Sequence, residues 1–401
     1  MKNKGLSLTR PSAHHLTLIA ALLSMIGPFS IDTYLPSFPD IELEFSISRA
    51  VLSQSLAVYL LAFAFSTLFW GPLADRYGRR LVILLSMTLY TLGSIGCALA
   101  TNAEAFMLLR IVQGLAASGG FIAGRAMIRD AHDAESAHRA MSQVMMLFAL
   151  APAIAPVLGG WLHDNYGWRS VFWFLSAFGS LLVLMGFFIK ETLVPEKRQS
   201  IYPSSVARVY ISALLHRQFP ALTLSLSFTF AGLFLYIAGA PTVIYDFLGL
   251  GSNDFGWLFI PIVAGLMLGA SVSGQLAHRW PAHRTITVGY VITTLAVLVN
   301  LLAVVLGRAD ILMVVGPLVL YVVGLSLLMP AVTVMALDCL PHNRGTAASM
   351  QGFLQMITNA VVASFAIPLL QASWLNFVFG QFAFLLGAVV LWVWLRRRNS
   401  D

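Results

Sequence analysis

The chain has 401 residues, of which 58% are hydrophobic and only 10% charged, with a mean hydropathy of +0.82. A water-soluble globular domain carries about 25% charged residues, so this composition excludes one. The net charge of +7 does not mark a nucleic-acid binder, because the 24 basic residues fall in segments flanking apolar runs. Cys97 and Cys339 lie at or near the ends of separate apolar runs and read as packing residues, with no disulfide framework or metal spacing.

Lys2, Lys4 and Arg10 precede an apolar run, as in a secretory leader, but the run has no small-x-small end. It continues from about His15 through Ser30-Ile31-Asp32-Thr33-Tyr34-Leu35-Pro36 and reads as a first membrane helix with a cytoplasmic N-terminus. In all, twelve apolar segments centre on roughly 16–35, 51–70, 81–100, 105–127, 140–162, 169–189, 219–241, 255–276, 285–306, 311–335, 345–368 and 374–395. Each approaches the ~20 residues a helix needs to cross a bilayer. The longest polar stretch runs from Lys190 to Arg217. The expected architecture is therefore all-α and integral to the membrane, with an N-terminal six-helix bundle at 1–189, a cytoplasmic linker at 190–217 and a C-terminal six-helix bundle at 218–401.

The decapeptide Gly71-Pro72-Leu73-Ala74-Asp75-Arg76-Tyr77-Gly78-Arg79-Arg80 reads as a charged turn between the second and third spans, and its three arginines place it in the cytoplasm. With that orientation, 20 basic residues fall on cytoplasmic segments against 4 elsewhere, namely Arg49, Arg110, Arg169 and Arg308. Both termini are then cytoplasmic. Gly274-Gln275-Leu276-Ala277-His278-Arg279 ends the eighth span as Gly71 to Arg76 ends the second, which points to a parallel internal repeat.

Elimination narrows the chemistry. All nine histidines fall in loops or at span ends, and Asp32 is the one acid clearly inside a span, where an ionisable group is expensive and functional by default. Arg110, the one base well inside a span, is its natural partner, both lying in the outer third of the membrane. Burial favours the neutral acid and a nearby guanidinium the carboxylate, so domain movement can swing the proton on Asp32. The bland alternative is a static ion pair tying two helices together. Gln351, Gln355 and Asn359 form a polar stripe on the eleventh span that faces protein or cavity, and together with Tyr34, Tyr59, Gln113, Met146, Phe230 and Phe234 they are candidate contacts for an amphipathic substrate, against a default role in helix packing.

The decapeptide matches the Gly-x-Leu-Ala-Asp-Arg-x-Gly-Arg-Arg signature of the major facilitator superfamily, in the place that family carries it. Ser30 to Pro36, Ile128-Arg129-Asp130, Phe230-Ala231-Gly232-Leu233-Phe234 and Pro341 to Ala347 resemble the bicyclomycin-resistance type of drug:proton antiporter. The resemblance implies the major facilitator fold, with the first and fourth spans lining a central cavity where Asp32 and Arg110 would face each other, and a proton-coupling role for Arg110. It implies a conformational latch from Gly71, Asp75, Gly78, Arg79, Arg80, Arg129 and Asp130, in which Asp75 docks on the start of the eleventh span near Asn343 to Thr346 and Arg79 pairs with Asp130. Ala151 to Gly160 resembles the antiporter signature Gly-Pro-x-x-Gly-Gly, with Ala155 in the first glycine's place followed by Pro156, Gly159 and Gly160. Its implied role is a seal against proton leak; ordinary close packing of small residues is the alternative.

The expected function is proton-coupled efflux of amphipathic drug-like compounds by alternating access in a bacterial inner membrane. The expected partners are small-molecule substrates, protons and the lipid bilayer, with no nucleic acid. The chain reads as a monomer and not an enzyme, with no metal and no cofactor; the lack of a nucleotide-binding loop implies transport driven by an ion gradient, and the resemblance implies that the ion is the proton. The rival reading is a carrier of a small metabolite on the same fold, which calls for more polar groups in the spans than Asp32, Arg110 and a few amides.

Overall fold

The structure, a computed structural model, describes residues 13–194, 198, 210–277, 279–306, 310–341 and 344–398. Among the described residues, twelve helical segments are long and apolar enough to cross a bilayer. Their principal helices are α1 (Ala13–Asp32), α2 (Arg49–Tyr77), α3 (Arg79–Leu99), α4 (Ala103–Ala131), α5 (Ala134–Tyr166), α6 (Arg169–Phe188), α7 (Phe219–Ala238), α8 (Gly256–Leu276), α9 (Ala282–Val305), α10 (Ile311–Asp338), α11 (Arg344–Val361) and α12 (Trp374–Arg398). No strand occurs among the described residues. Lipid supplies no hydrogen bonds, and a helix satisfies its backbone within one segment.

Helix ends follow local chemistry. The side chains of Asn102, Asp133 and Asp310 accept from the backbone N–H groups of Ala105, Ser136 and Met313 at 2.8, 2.8 and 2.9 Å, starting α4, α5 and α10. Each such cap stabilises by about 1 kcal/mol. Outward-facing Leu85, Leu92, Phe187, Leu295 and Leu302 are exposed and meet lipid, while the buried faces carry small and polar residues, as on α4 from Gly114 to Gly120. Small residues bring helix backbones close where water-driven burial is absent.

Within the first half, α4 packs on α1, α2 and α3, with α3 against α6 and α1 against α5. Within the second, α10 packs on α8 and α9, and α7 on α10, α11 and α12. The halves meet where α2 packs on α11 and α5 on α8. The internal repeat extends to buried polar contacts. Ser30 on α1 bonds the Tyr90 hydroxyl on α3 at 2.6 Å, and Ser225 on α7 bonds the Tyr290 hydroxyl on α9. His278, part of the sequence repeat, lies outside the described residues.

Three features depart from the sequence reading. The stretch from Gly71 to Tyr77 is the end of α2 and not a loop, since its residues continue the helix past the bilayer; the chain turns at Gly78 alone, whose φ of +101° suits glycine. The first span is interrupted, with α1 ending at Asp32, a 3₁₀ turn over Leu35–Ser37 and a short helix over Phe38–Phe45. Pro36 and Pro39 lack backbone N–H groups and restrict the residues before them. The seventh and eleventh spans carry π-helical segments, Thr242–Phe247 and Val362–Ala366. Of the linker, residues 195–197 and 199–209 lie outside the described residues, and 210–215 are helical.

Candidate proton and substrate site

The interruption after Asp32 exposes the carbonyl end of α1. The Phe29 carbonyl accepts from the Thr33 N–H and its hydroxyl at 3.2 and 2.5 Å. The Ser30 carbonyl instead accepts from Arg110 Nη2 at 3.0 Å. A cation at a helix C-terminus is favoured by the exposed carbonyls and the helix dipole, so a broken helix and an intramembrane arginine stabilise each other.

Arg110 is fully buried. Its Nη1 donates to Gln113 Oε1 at 2.8 Å, and its guanidinium carbon lies 4.5 Å from the centroid of the Tyr34 ring and 4.6 Å from that of Tyr59. Gln113 is in turn held by donation to Ser94 Oγ at 2.8 Å. Tyr34 bonds Ser55 Oγ at 3.2 Å, and the Tyr59 hydroxyl lies near Ser30 without closing a hydrogen bond.

Asp32 is 3% exposed and its Oδ1 has no hydrogen-bond partner. The ion pair expected with Arg110 is not made. Arg110 reaches the backbone of residue 30 and the ring of residue 34 while leaving the carboxyl between them alone.

On α5, Ala155, Pro156, Gly159 and Gly160 are buried. A Cβ at Gly159 would land on the carbonyl of Thr33, beside Asp32, and one at Gly160 on the carbonyl of Ser252 in the other half. Around them one end of the molecule is closed by contacts between the halves. Arg49 bridges Glu42 at 2.8 Å in its own half and Asp246 in the other. Asp164 accepts from Ser252 and Asn253, Tyr245 donates to the Pro36 carbonyl at 2.6 Å, and Gln54 Nε2 donates to the Ser364 carbonyl at 2.9 Å. None of the contacts between the halves was read from the sequence, since each joins residues more than 80 positions apart.

At the opposite, arginine-rich end, buried Arg79 donates from Nε to Asp130 at 2.8 Å and from Nη1 to Asp75 at 2.6 Å. Arg80 donates to the Phe187 carbonyl at 2.9 Å, and Arg129 is exposed. Asn343 and the side chain of Thr346, the expected dock for Asp75, lie outside the described residues. The sequence reading missed Glu191. Its carboxylate accepts the backbone N–H groups of Arg79 and Arg80 at 2.9 and 3.1 Å, capping α3, and it occupies the space a Cβ on Gly78 would need. An acid directly after the sixth span, in a set of basic loops, was its one available signal.

Arg79→Ala leaves Asp130 without its partner, with an expected loss of about 2 kcal/mol in stability, below the fully buried range because Asp75 is half exposed. Thermal unfolding in detergent and substrate-binding titration check this: melting falls, and affinity for substrate stays within about twofold of wild type.

The remaining candidate contacts do not form one cluster. Tyr34, Tyr59 and Gln113 gather around Arg110. Phe230 and Phe234 stack on α7 at 6.4 Å, and Met146 on α5 is 57% exposed. On α11, Gln351 donates to Thr333 Oγ1 at 3.3 Å, Gln355 is half-buried, and buried Asn359 has an unpartnered Oδ1.

The profile of the Major Facilitator Superfamily matches residues 19–363. The chain is 26% identical to the bicyclomycin resistance protein homolog of Haemophilus influenzae, over 95% of this chain and 96% of the relative. It is also 26% identical to multidrug resistance protein D of Escherichia coli, over 95% of each, and 29% identical to an uncharacterized MFS-type transporter, YdgK, of Bacillus subtilis, over 92% and 94%. Among solved structures, a D-xylose-proton symporter superimposes with a TM-score of 0.76 at 14% identity, covering 94% of this chain and 97% of that one. An inward-facing bacterial homolog of a human lysosomal transporter, Spinster, gives 0.72 at 17%, covering 94% of each.

Proposed function

The chain belongs to the major facilitator superfamily, and from that premise we propose a proton-coupled exporter of amphipathic, drug-like compounds that works by alternating access. The single observation that carries the coupling is Asp32, a carboxyl buried at a helix break whose Oδ1 has no partner among the described residues. Rocking of the two halves changes the water and dipoles around it, and that change moves a proton on or off. The direction of transport and the substrate class rest on relatives named for multidrug and bicyclomycin resistance. Twelve candidate spans and bacterial relatives matched over nearly their whole length support reading it as a multi-pass protein of the inner membrane.

The positive-inside bias sets the arginine-rich end and both termini in the cytoplasm. The end closed by Arg49, Asp246, Asp164 and Tyr245 then faces outward, and the conformation is closed outside. Substrate enters the cavity from the cytoplasm or inner leaflet, the outer contacts part, and the proton returns through Asp32. The working unit is a monomer, and the reading uses no cofactor beyond the proton gradient.

Everted vesicles energised by respiration, with a pH-sensitive dye and a panel of antibiotics and lipophilic cations, test this. A compound that collapses part of the gradient supports drug antiport and names a substrate. A response confined to sugars or organic acids replaces efflux with metabolite transport on the same fold.

Arg49→Gln removes the cross-half ion pair at the outer end. The partly exposed pair stabilises closure by at most about 1 kcal/mol, so labelling of a Ser364→Cys variant by an impermeant maleimide from outside rises by up to about fivefold. An unchanged rate shows that the ion pair does not hold the halves shut.

A further inference from the structure

A guanidinium keeps its charge in the protein interior, and burying it without an opposite charge is costly. Arg110 is buried completely, yet its partners are a carbonyl oxygen, an amide oxygen and the rings of Tyr34 and Tyr59. Aromatic rings attract a cation through their quadrupole, most strongly where water is excluded, and carry no net charge. They therefore steady the guanidinium without supplying a carboxylate. The same half holds a buried carboxylate oxygen with no partner, Asp32 Oδ1, and Arg110 itself retains an unpartnered Nε.

We propose that Tyr59 is a positioning residue of the proton site: with Tyr34, its ring serves as the counter-group of Arg110 and keeps that guanidinium off Asp32. The inference rests on the reading of Asp32 as the proton carrier. Asp32 Oδ1 is left unpartnered and the carboxyl is not locked to the guanidinium, so its proton can come and go. Tyr59 is the tunable member because its ring lies on α2, which packs on α4 and also forms part of the contact between the halves. Removing the ring frees the guanidinium to turn toward Asp32 Oδ1, the one unpartnered buried carboxylate oxygen among the described residues.

The test compares Tyr59→Phe, which keeps the ring, with Tyr59→Leu, which does not, in protein reconstituted into liposomes. Infrared difference spectra between acid and alkaline pH report the carboxyl C=O band of Asp32, identified as the band missing from Asp32→Asn. Wild type and Tyr59→Phe are expected to show that band and Tyr59→Leu to lose it. In the same liposomes, proton flux driven by tetraphenylphosphonium is expected to fall about tenfold in Tyr59→Leu, with half-saturation within about twofold of wild type. Persistence of the band in Tyr59→Leu, or its loss in Tyr59→Phe, overturns the assignment. If the spectra behave as expected while neither tetraphenylphosphonium nor the antibiotic panel moves protons in wild type, the positioning role stands and drug efflux falls. Thermal melting of both variants guards against misfolding; should Tyr59→Leu not fold, Tyr59→Met replaces it with the same two readouts and the same outcomes.

Discussion

Drug-driven proton release from energised vesicles should vanish in Asp32→Asn. Asparagine has the shape of aspartate and no titratable proton, so the substitution removes the chemistry and leaves the packing. The expected fall in exchange rate is about 100-fold or more, the loss typical when a positioned proton carrier is deleted. Binding is a separate matter. Asp32 is 3% exposed and contributes little surface to a compound in the cavity, so drug-dependent protection against thermal unfolding should persist in the variant. Because Asp32 has no ion-pair partner to strand, the protein should fold at least as well as wild type. Exchange at the wild-type rate in Asp32→Asn would dismiss it as the carrier. A folding defect without change in exchange per folded molecule would make it a structural residue.

Gly160→Leu should hold the outer end open. In the closed conformation a Cβ on Gly160 coincides with the Ser252 carbonyl, and backbone of the other half has no rotamer by which to yield. Overpacking of this kind costs about 1–3 kcal/mol, and at ~2 kcal/mol the ratio of closed to open molecules falls about thirtyfold. Because the clash exists only when the halves meet, the penalty falls on one conformation and spares the fold. Spin labels at the outer ends of α5 and α8 should show the longer distance, and transport should fall with it. Gly316→Ala, where an added methyl meets only the edge of Leu312 at 4.0 Å, serves as the control and should match wild type. A closed distance distribution in Gly160→Leu would reduce this part of α5 to ordinary helix packing. Gly159→Ala acts differently, since its methyl meets the Thr33 carbonyl within the same half and shifts the backbone beside Asp32.

Much of the architecture was legible because bilayer crossing is a one-dimensional property. A run of about twenty apolar residues must be helical in lipid whatever surrounds it, and the predicted spans match the helices to within a few residues at most ends. The ends that ran long, such as α2 through Tyr77 and α4 through Ala131, lie beyond the apolar runs, where hydropathy is silent and helix propensity continues. The break after Asp32 was visible as Pro36 and Pro39, but its consequence was not. An exposed helix end acquires meaning only from the residue that fills it, and Arg110 is 80 positions from Ser30.

The sequence by itself determined the number of spans, the internal repeat, the basic bias of one face, and the two ionisable residues worth pursuing, because rarity in an apolar segment needs no coordinates. Side-chain direction belongs to the tertiary structure. It decided that Arg110 turns to Ser30, Gln113 and two tyrosine rings instead of Asp32, that Gln113 is a strut for that arginine, and that Glu191 caps α3. It also decided which end of the bundle is shut, since Arg49 and Asp246 are separated by nearly half the chain and neither is unusual in its own segment. Hydropathy sums over a segment and survives without knowledge of neighbours; a hydrogen bond or a ring contact depends on angle and distance to one particular atom, which only packing supplies.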